Sequence, residues 1–189
     1  AMAEALKTLL PDPRLRVATA DFLTADVPAL LDGETGYIAV GNLPYYVTTP
    51  ISEKLLCLKP ASITLMVQKE AAERYFAGPG DRVYGPVAVV SQWCYAARRV
   101  REVTRDCFWP RPEVDSTVVH MGRASGADGD PAAFLAFLKR AFAMRRKTLY
   151  NNLKSEPNLL PALEELGVSP GVRVETLPPE TLYRLYRLI

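Results

Sequence analysis

Histidine is almost missing from this chain: a single residue, His120, stands among 189. No acidic or thiol cluster surrounds it, so no metal centre is expected. Cysteine is sparse too. Cys57, Cys94 and Cys107 are widely spaced, odd in number and form no Cys-x-x-Cys pair. A zinc site and a disulfide framework are both excluded on that pattern, and reduced, mostly buried thiols are expected. No run approaches the roughly 20 apolar residues that cross a bilayer. No charged-then-apolar leader opens the chain, which makes the cytoplasm the expected location. A strong excess of one charge is also lacking. The formal net charge is +2, too small for a global field that would attract nucleic acid.

What is present fits an ordinary globular protein. The apolar fraction of 49% can supply a core, and 189 residues suffice for one large domain or a medium and a small one. The charge is unevenly spread. Between Phe137 and Lys154 there are six basic residues, Lys139, Arg140, Arg145, Arg146, Lys147 and Lys154, and no acidic one. That local patch disappears in the chain average.

The order of elements reads as α/β. Residues Ala1 to Leu10 suit a helix stopped by Pro11 and Pro13. Leu15 to Ala18 and Tyr37 to Val40 suit strands, and residues 50 to 58 a helix with Pro50 in its first turn. Ile63 to Val67 is a continuous apolar run, expected to be a strand buried on both faces of a parallel sheet. Helices are expected over Gln68 to Phe76 and Pro86 to Ala96. Two β runs, Val100 to Thr104 and Val114 to Met121, flank the Pro-rich stretch Phe108-Trp109-Pro110-Arg111-Pro112. Gly122 to Pro131 is the best linker. Beyond it, Phe134, Leu135, Phe137, Leu138, Ala141 and Phe142 recur at helical spacing, and three or four short helices complete an all-α C-terminal part.

In open α/β sheets ligands bind at the carboxyl ends of the strands. Two such ends carry unusual residues: Asp21-Phe22, and Asn42-Leu43-Pro44-Tyr45-Tyr46. Asn42 brings a side-chain carbonyl. Pro44 holds Leu43 extended and has no N–H of its own to compete for acceptors. The Asn42 amide and the Leu43 backbone thus offer two carbonyl oxygens, and Tyr45 adds an aromatic plane. A flat base with an exocyclic amine suits that set. Both N–H groups of an adenine N6 would be held, its lone pair localised, and the nitrogen made reactive toward a sulfonium methyl donor by positioning and electrostatics. Such a base must leave its stack, and Phe108, steered by two prolines, is a candidate to cover its second face. Each piece also has a plainer reading: a turn at Asn42, a core Phe at 108, a cap or turn at Asp21, a solvated helix face at Arg145-Arg146-Lys147.

Four signatures in order resemble the KsgA-type rRNA adenine N6,N6-dimethyltransferases. These are Val40-Gly41-Asn42-Leu43-Pro44-Tyr45-Tyr46; Gln68 to Arg74 with Tyr84-Gly85; Phe108-Trp109-Pro110-Arg111-Pro112-Glu113-Val114-Asp115-Ser116; and Phe142 to Thr148, with Arg145-Arg146-Lys147-Thr148. The resemblance implies a Rossmann-like S-adenosylmethionine-dependent methyltransferase fold over residues 1–122 and a helical rRNA-binding domain over 123–189. It implies dimethylation of two adjacent adenosines near the 3′ end of small-subunit rRNA during ribosome biogenesis, by a monomer acting on the assembling 30S subunit. Asp21 with Phe22 would hold the cofactor's adenine end, and Asn42 would lie between cofactor and target. Leu43, Pro44, Tyr45 and Phe108 would complete the catalytic set. Lys69, Arg74, Arg145, Arg146 and Lys147 would grip RNA. The family also opens with a strand, a Gly-rich turn, a helix and a second strand ending in an acidic residue. These do not occur in the 189 residues, so the polypeptide as it stands is expected to bind the methyl donor poorly. Two other readings share these residues: a non-catalytic rRNA-binding assembly factor, and the related large-subunit rRNA methyltransferases of antibiotic resistance.

Overall fold

The computed structural model describes residues 2–124 and 129–189. It forms two compact units, Ala1–Gly36 and Tyr37–Ile189.

The first unit holds two short helices, α1 (Met2–Leu9) and α2 (Val27–Leu30). α1 draws on the helix-favouring Ala, Glu, Leu and Lys and ends before Pro11, as expected. Ala1 lies outside the described residues. Asp26 caps α2 by accepting from the Ala29 N–H at 3.1 Å, with Pro28 in the first turn. The strand expected at Leu15 to Ala18 is not formed. A four-residue run persists as a strand only where a neighbour completes its hydrogen bonds, and among the described residues none pairs with it. Arg14, just before the run, pairs with Asp12 at 2.6 Å, and Arg16, within it, pairs with Asp32.

The second unit is built on a four-stranded sheet of order β1-β2-β4-β3, with β1 at Ile38–Asn42, β2 at Ser62–Gln68, β3 at Tyr95–Val103 and β4 at Ser116–Arg123. β1 and β2 are parallel; β4 runs antiparallel to β2 and to β3. Helix α3 (Thr48–Leu58) makes the crossover between the parallel pair, as a parallel connection requires. The helix expected from Gln68 to Phe76 is one turn, α4 (Lys69–Ala72), continued by a 3-10 turn at Glu73–Tyr75. α5 (Pro86–Cys94) stops two residues short of expectation, because Tyr95 turns extended and β3 begins there.

β2 is not buried on both faces. Ile63, Leu65 and Val67 are fully covered, whereas Ser62, Thr64, Met66 and Gln68 are half-covered. Successive strand residues point to opposite faces, and only one face carries the core. Val119 and Met121 of β4 join that face, with Ile51, Leu55 and Leu56 of α3 and Val87 to Val90 of α5 buried as well. The single histidine lies on the other face, its Nδ1 2.9 Å from the Thr64 hydroxyl. Of the three thiols only Cys94 is buried; Cys57 is half-buried and Cys107 exposed, which corrects the expectation of mostly buried cysteines.

Four helices follow: α6 (Pro131–Ala141), α7 (Leu149–Leu153), α8 (Leu159–Glu165) and α9 (Pro179–Leu188). The expected linker starts inside β4, and its residues 125–128 lie outside the described residues. Phe134 and Phe137 of α6 meet Tyr183 and Tyr186 of α9, and Trp93 of α5 stacks on Tyr183 with centroids 4.4 Å apart. Each such aromatic pair is worth about 0.5–1.5 kcal/mol beyond its buried area. Lys139 pairs with Glu53 at 2.7 Å and ties α6 to α3.

Candidate active site

One end of the sheet gathers the motifs. In the ladder Asn42 lies beside Met66, Gln68 beside Ser116, and Ser116 beside Val103. β1 and β2 therefore finish, β4 starts and β3 finishes at the same end. The segments 42–47, 69–76 and 104–115 all leave from it.

The Asn42 to Tyr45 segment is fixed from below. The Leu43 N–H donates to the Met66 carbonyl at 3.1 Å, which prolongs the β1–β2 ladder by one rung, and the Leu43 side chain is buried. Pro44 then begins a 3-10 turn over Tyr45–Val47. Thr48, the first residue of α3 and itself buried, donates its hydroxyl to the carbonyls of Pro44 at 3.3 Å and Tyr45 at 3.2 Å. Those two carbonyls are occupied. The Asn42 side chain is exposed, and neither its amide nor the Leu43 carbonyl is engaged among the described residues. Tyr45 is 37% exposed and its phenol oxygen lies 3.3 Å from the Ser116 hydroxyl, which is buried. The ring is thus tethered at its far end and open along its side. Two unengaged acceptors next to a restrained aromatic plane can bind an amine-bearing planar base.

Phe108 follows the 3-10 turn Arg105–Cys107 and is half-buried. Among the described residues it makes no ring contact with Tyr45. Its loop is knitted at the base: the Arg105 N–H donates to Asp115 Oδ1 at 2.9 Å, and the Lys69 N–H to the Asp115 carbonyl at 3.0 Å. The Lys69 ammonium pairs with Glu102 at 2.8 Å, and that hydrogen bond, with the carboxylate charge, raises its pKa. Arg74 donates to the Thr49 hydroxyl at 2.5 Å.

The basic run is not uniform. Arg145 donates to the Arg82 carbonyl at 2.7 Å and to the Asp81 carbonyl at 3.4 Å, so it braces the loop before Tyr84. Lys139 and Arg140 are ion-paired to Glu53 and Glu156. Arg146 and Lys147 are exposed in the turn between α6 and α7 and make no ion pair among the described residues. In the first unit, Asp21 is exposed and its Oδ1 accepts from the Leu23 N–H at 2.9 Å, a turn of the kind its plainer reading foresaw; Phe22 is half-buried. Sequence reasoning missed Ser116 as the anchor of Tyr45. A hydroxyl opening a strand in Val114-Asp115-Ser116 was the available signal, but its partner lies 71 positions away.

The model of the ribosomal RNA adenine dimethylase family matches residues 1–189. A protein named ribosomal RNA small subunit methyltransferase A from Thermotoga petrophila is 41% identical over 175 residues, which are 92% of this chain and 63% of that protein. Its namesake from Shouchella clausii is 38% identical over 194 residues, covering 94% of this chain and 66% of the relative. The chain therefore spans just under two thirds of these relatives' length. Among solved structures, the 23S rRNA methyltransferase ErmE superposes with a TM-score of 0.64 at 26% identity, covering 98% of this chain and 77% of that one. A dimethyladenosine transferase from Plasmodium falciparum superposes with a TM-score of 0.68 at 24% identity, covering 79% and 66%. The α/β fold is that of the S-adenosylmethionine-dependent methyltransferases, and with its whole length matched the chain belongs to the ribosomal RNA adenine dimethylase family.

Proposed function

We propose that the protein transfers methyl groups from S-adenosylmethionine to N6 of two adjacent adenosines near the 3′ end of small-subunit (16S) rRNA, giving N6,N6-dimethyladenosine, as a cytoplasmic monomer acting on the assembling 30S subunit. One observation carries this reading: the unengaged Asn42 amide and Leu43 carbonyl stand next to a Tyr45 ring restrained by Ser116. The names of the relatives, which specify the small ribosomal subunit, support the choice of substrate.

The residues divide the work as follows. Asn42 and Leu43 each accept one N–H of the target amine, which draws the nitrogen out of conjugation with the ring. Pro44 keeps Leu43 extended so that its carbonyl stays available. Tyr45 stacks on the extruded base, and Phe108 covers its other face. S-adenosylmethionine, when bound, supplies an electrophilic sulfonium methyl. The amine becomes acidic only as the new bond forms, so its proton can pass to water without a dedicated base. Asp21 offers a carboxylate oxygen for the adenine amine of the cofactor and Phe22 an apolar contact; both fit the adenine end of that molecule. Preorganised acceptors of this kind contribute on the order of 3–4 kcal/mol each to the transition state.

The same proposal places methyl transfer in residues 1–122 and rRNA binding in the helical residues 123–189. Arg146 and Lys147 support it as exposed cations with no ion pair among the described residues; Lys69 and Arg74 would add phosphate contacts at the loop bases, and Arg145 would reach RNA only by leaving the Arg82 and Asp81 carbonyls. A non-catalytic assembly factor has no use for an unengaged amide at the carboxyl end of β1. The deciding experiment is methylation of small-subunit rRNA by the full-length protein and by Asn42→Ala, with large-subunit rRNA as control. Loss of transfer with unchanged thermal unfolding is expected. Undiminished transfer in Asn42→Ala, or transfer confined to the large-subunit RNA, would end the proposal.

A further inference from the structure

We infer that Trp109 is a base-stacking residue at the rim of this site, holding an unpaired nucleobase beside the one that enters it. Trp109 is 97% exposed, and among the described residues its ring meets no other ring. The second tryptophan, Trp93, behaves as indoles usually do, with its ring packed against Tyr183 and Phe134. A side chain able to bury roughly 150–250 Å² left wholly in water is unusual.

The placement of Trp109 gives that exposure a use. It sits in the loop between β3 and β4, which leaves the sheet at the end where Asn42 and Tyr45 lie. Ser116, where that loop re-enters the sheet, is the residue that holds Tyr45. The loop is braced on both sides of the indole. Arg105 donates to the Glu113 carbonyl at 3.2 Å and its N–H to Asp115 at 2.9 Å, while Arg111 pairs with Asp106 at 2.9 Å. Little conformational freedom is left for a ligand to remove, which lowers the entropic cost of binding.

The chemistry selects the occupant. The tip around Trp109 reads Phe108, Pro110, Arg111, Pro112, with Arg105 and Lys69 at the loop base. Within residues 104–115 Trp109 is the one large exposed apolar side chain among the described residues, and a single ring is far smaller than the contiguous patch a protein interface needs. The arginine and lysine near it are engaged, Arg111 by Asp106 and Lys69 by Glu102, so the contact on offer is a flat, uncharged one, and a lone indole face beside the Asn42 and Tyr45 end suits the π-face of a single base. This inference rests on the proposed RNA substrate. It adds a residue that selects an unpaired neighbour of the target and does not touch the reacting amine.

The test uses the full-length protein, Trp109→Leu and Trp109→Phe. Indole emission is followed while a single-stranded RNA containing two adjacent adenosines is added, and again with the same RNA abasic at the positions flanking them. Quenching by the intact RNA, weaker quenching by the abasic one, and none of that component in Trp109→Leu are expected. In methylation of small-subunit rRNA, KM should rise roughly 10-fold in Trp109→Leu, the scale of one lost base–aromatic stack, with kcat little changed and most of the loss restored in Trp109→Phe. Thermal unfolding should not move. Equal KM in all three proteins, equal quenching by intact and abasic RNA, or quenching by anionic lipid vesicles and not by RNA would overturn the inference. Asn42→Ala tests the reaction separately: its failure leaves the quenching result standing, and flat quenching leaves the methylation result standing.

Discussion

The phenol oxygen of Tyr45 and the hydroxyl of Ser116 meet at 3.3 Å across 71 positions of sequence, and they join the loop after β1 to the start of β4. The bond restrains an aromatic ring that would otherwise swing about two torsions. Tyr45→Phe keeps the plane and loses the tether, at a cost of about 1 kcal/mol, or some fivefold in kcat/KM. Tyr45→Ala removes the plane as well and should lose roughly 100-fold. Ser116→Ala should resemble Tyr45→Phe. Rates on small-subunit rRNA measured beside thermal unfolding check all three; equal activity in Phe and Ala at position 45 would remove the ring from the site.

Gly41 precedes Asn42 on β1, and a Cβ placed there would lie 3.1 Å from Leu43 Cδ2 and 3.4 Å from Leu65 Cδ2. The Leu43 side chain must therefore give by a few tenths of an ångström in Gly41→Ala, on the residue whose carbonyl is assigned to the target amine. The overpacking costs about 1 kcal/mol of stability, within the usual range for one added methyl. The loss of activity should exceed that energetic equivalent, at tenfold or more. Denaturant unfolding and initial rates on the same preparation make the comparison, and a loss of activity no larger than the stability change would separate Leu43 from catalysis.

Arg145, Arg146 and Lys147 are adjacent but should not behave alike. The Arg145 guanidinium is held by the Arg82 and Asp81 carbonyls, which are exposed and can turn to water when it is lost, so Arg145→Ala should destabilise the fold by only about 0.5–1 kcal/mol. Arg146→Glu with Lys147→Glu should leave the unfolding midpoint in place and reduce the magnitude of the slope of log K against log salt for rRNA binding by roughly 1–2. Filter binding at several salt concentrations reads the slope. An unchanged slope would mark the pair as a solvated surface.

The thiols give a pH-dependent prediction. Burial pushes the Cys94 thiol up to about 12, and burial also raises that of the half-buried Cys57. At pH 8 only about 10⁻⁴ of Cys94 is thiolate, the form that reacts. A disulfide-exchange reagent should therefore titrate the exposed Cys107 rapidly and Cys94 only after unfolding. Between pH 7 and 9 Cys94 should stay silent, because its thiol remains protonated throughout that range. Rapid native labelling of Cys94 would show that its surroundings open.

Much of the fold could be read in advance where one periodicity or one residue type decides the matter. The helix–strand alternation, the proline stops after α1 and the four C-terminal helices are of that kind. Two readings went wrong for a common reason. Leu15 to Ala18 looked like a strand, and Ile63 to Val67 looked buried on two sides, because a short stretch of sequence carries no information about its neighbours in space. The first finds no pairing partner among the described residues, and the second lies between a parallel and an antiparallel strand with one covered face. Lys139, Arg140 and Arg145 looked like equal members of a basic patch until their partners were known.

The sequence by itself determined the local chemistry of the site. An Asn side-chain carbonyl, a residue held extended by the proline after it, and an aromatic next in line are properties of bonded neighbours, and no tertiary contact alters them. Only the tertiary structure decided which groups remain available. Thr48 occupies the carbonyls of Pro44 and Tyr45 and leaves that of Leu43; Ser116 holds the Tyr45 ring; the indole of Trp109 is left in water. A hydrogen bond satisfies a group once, and which group it satisfies depends on distances set by strand register, which no stretch of sequence contains.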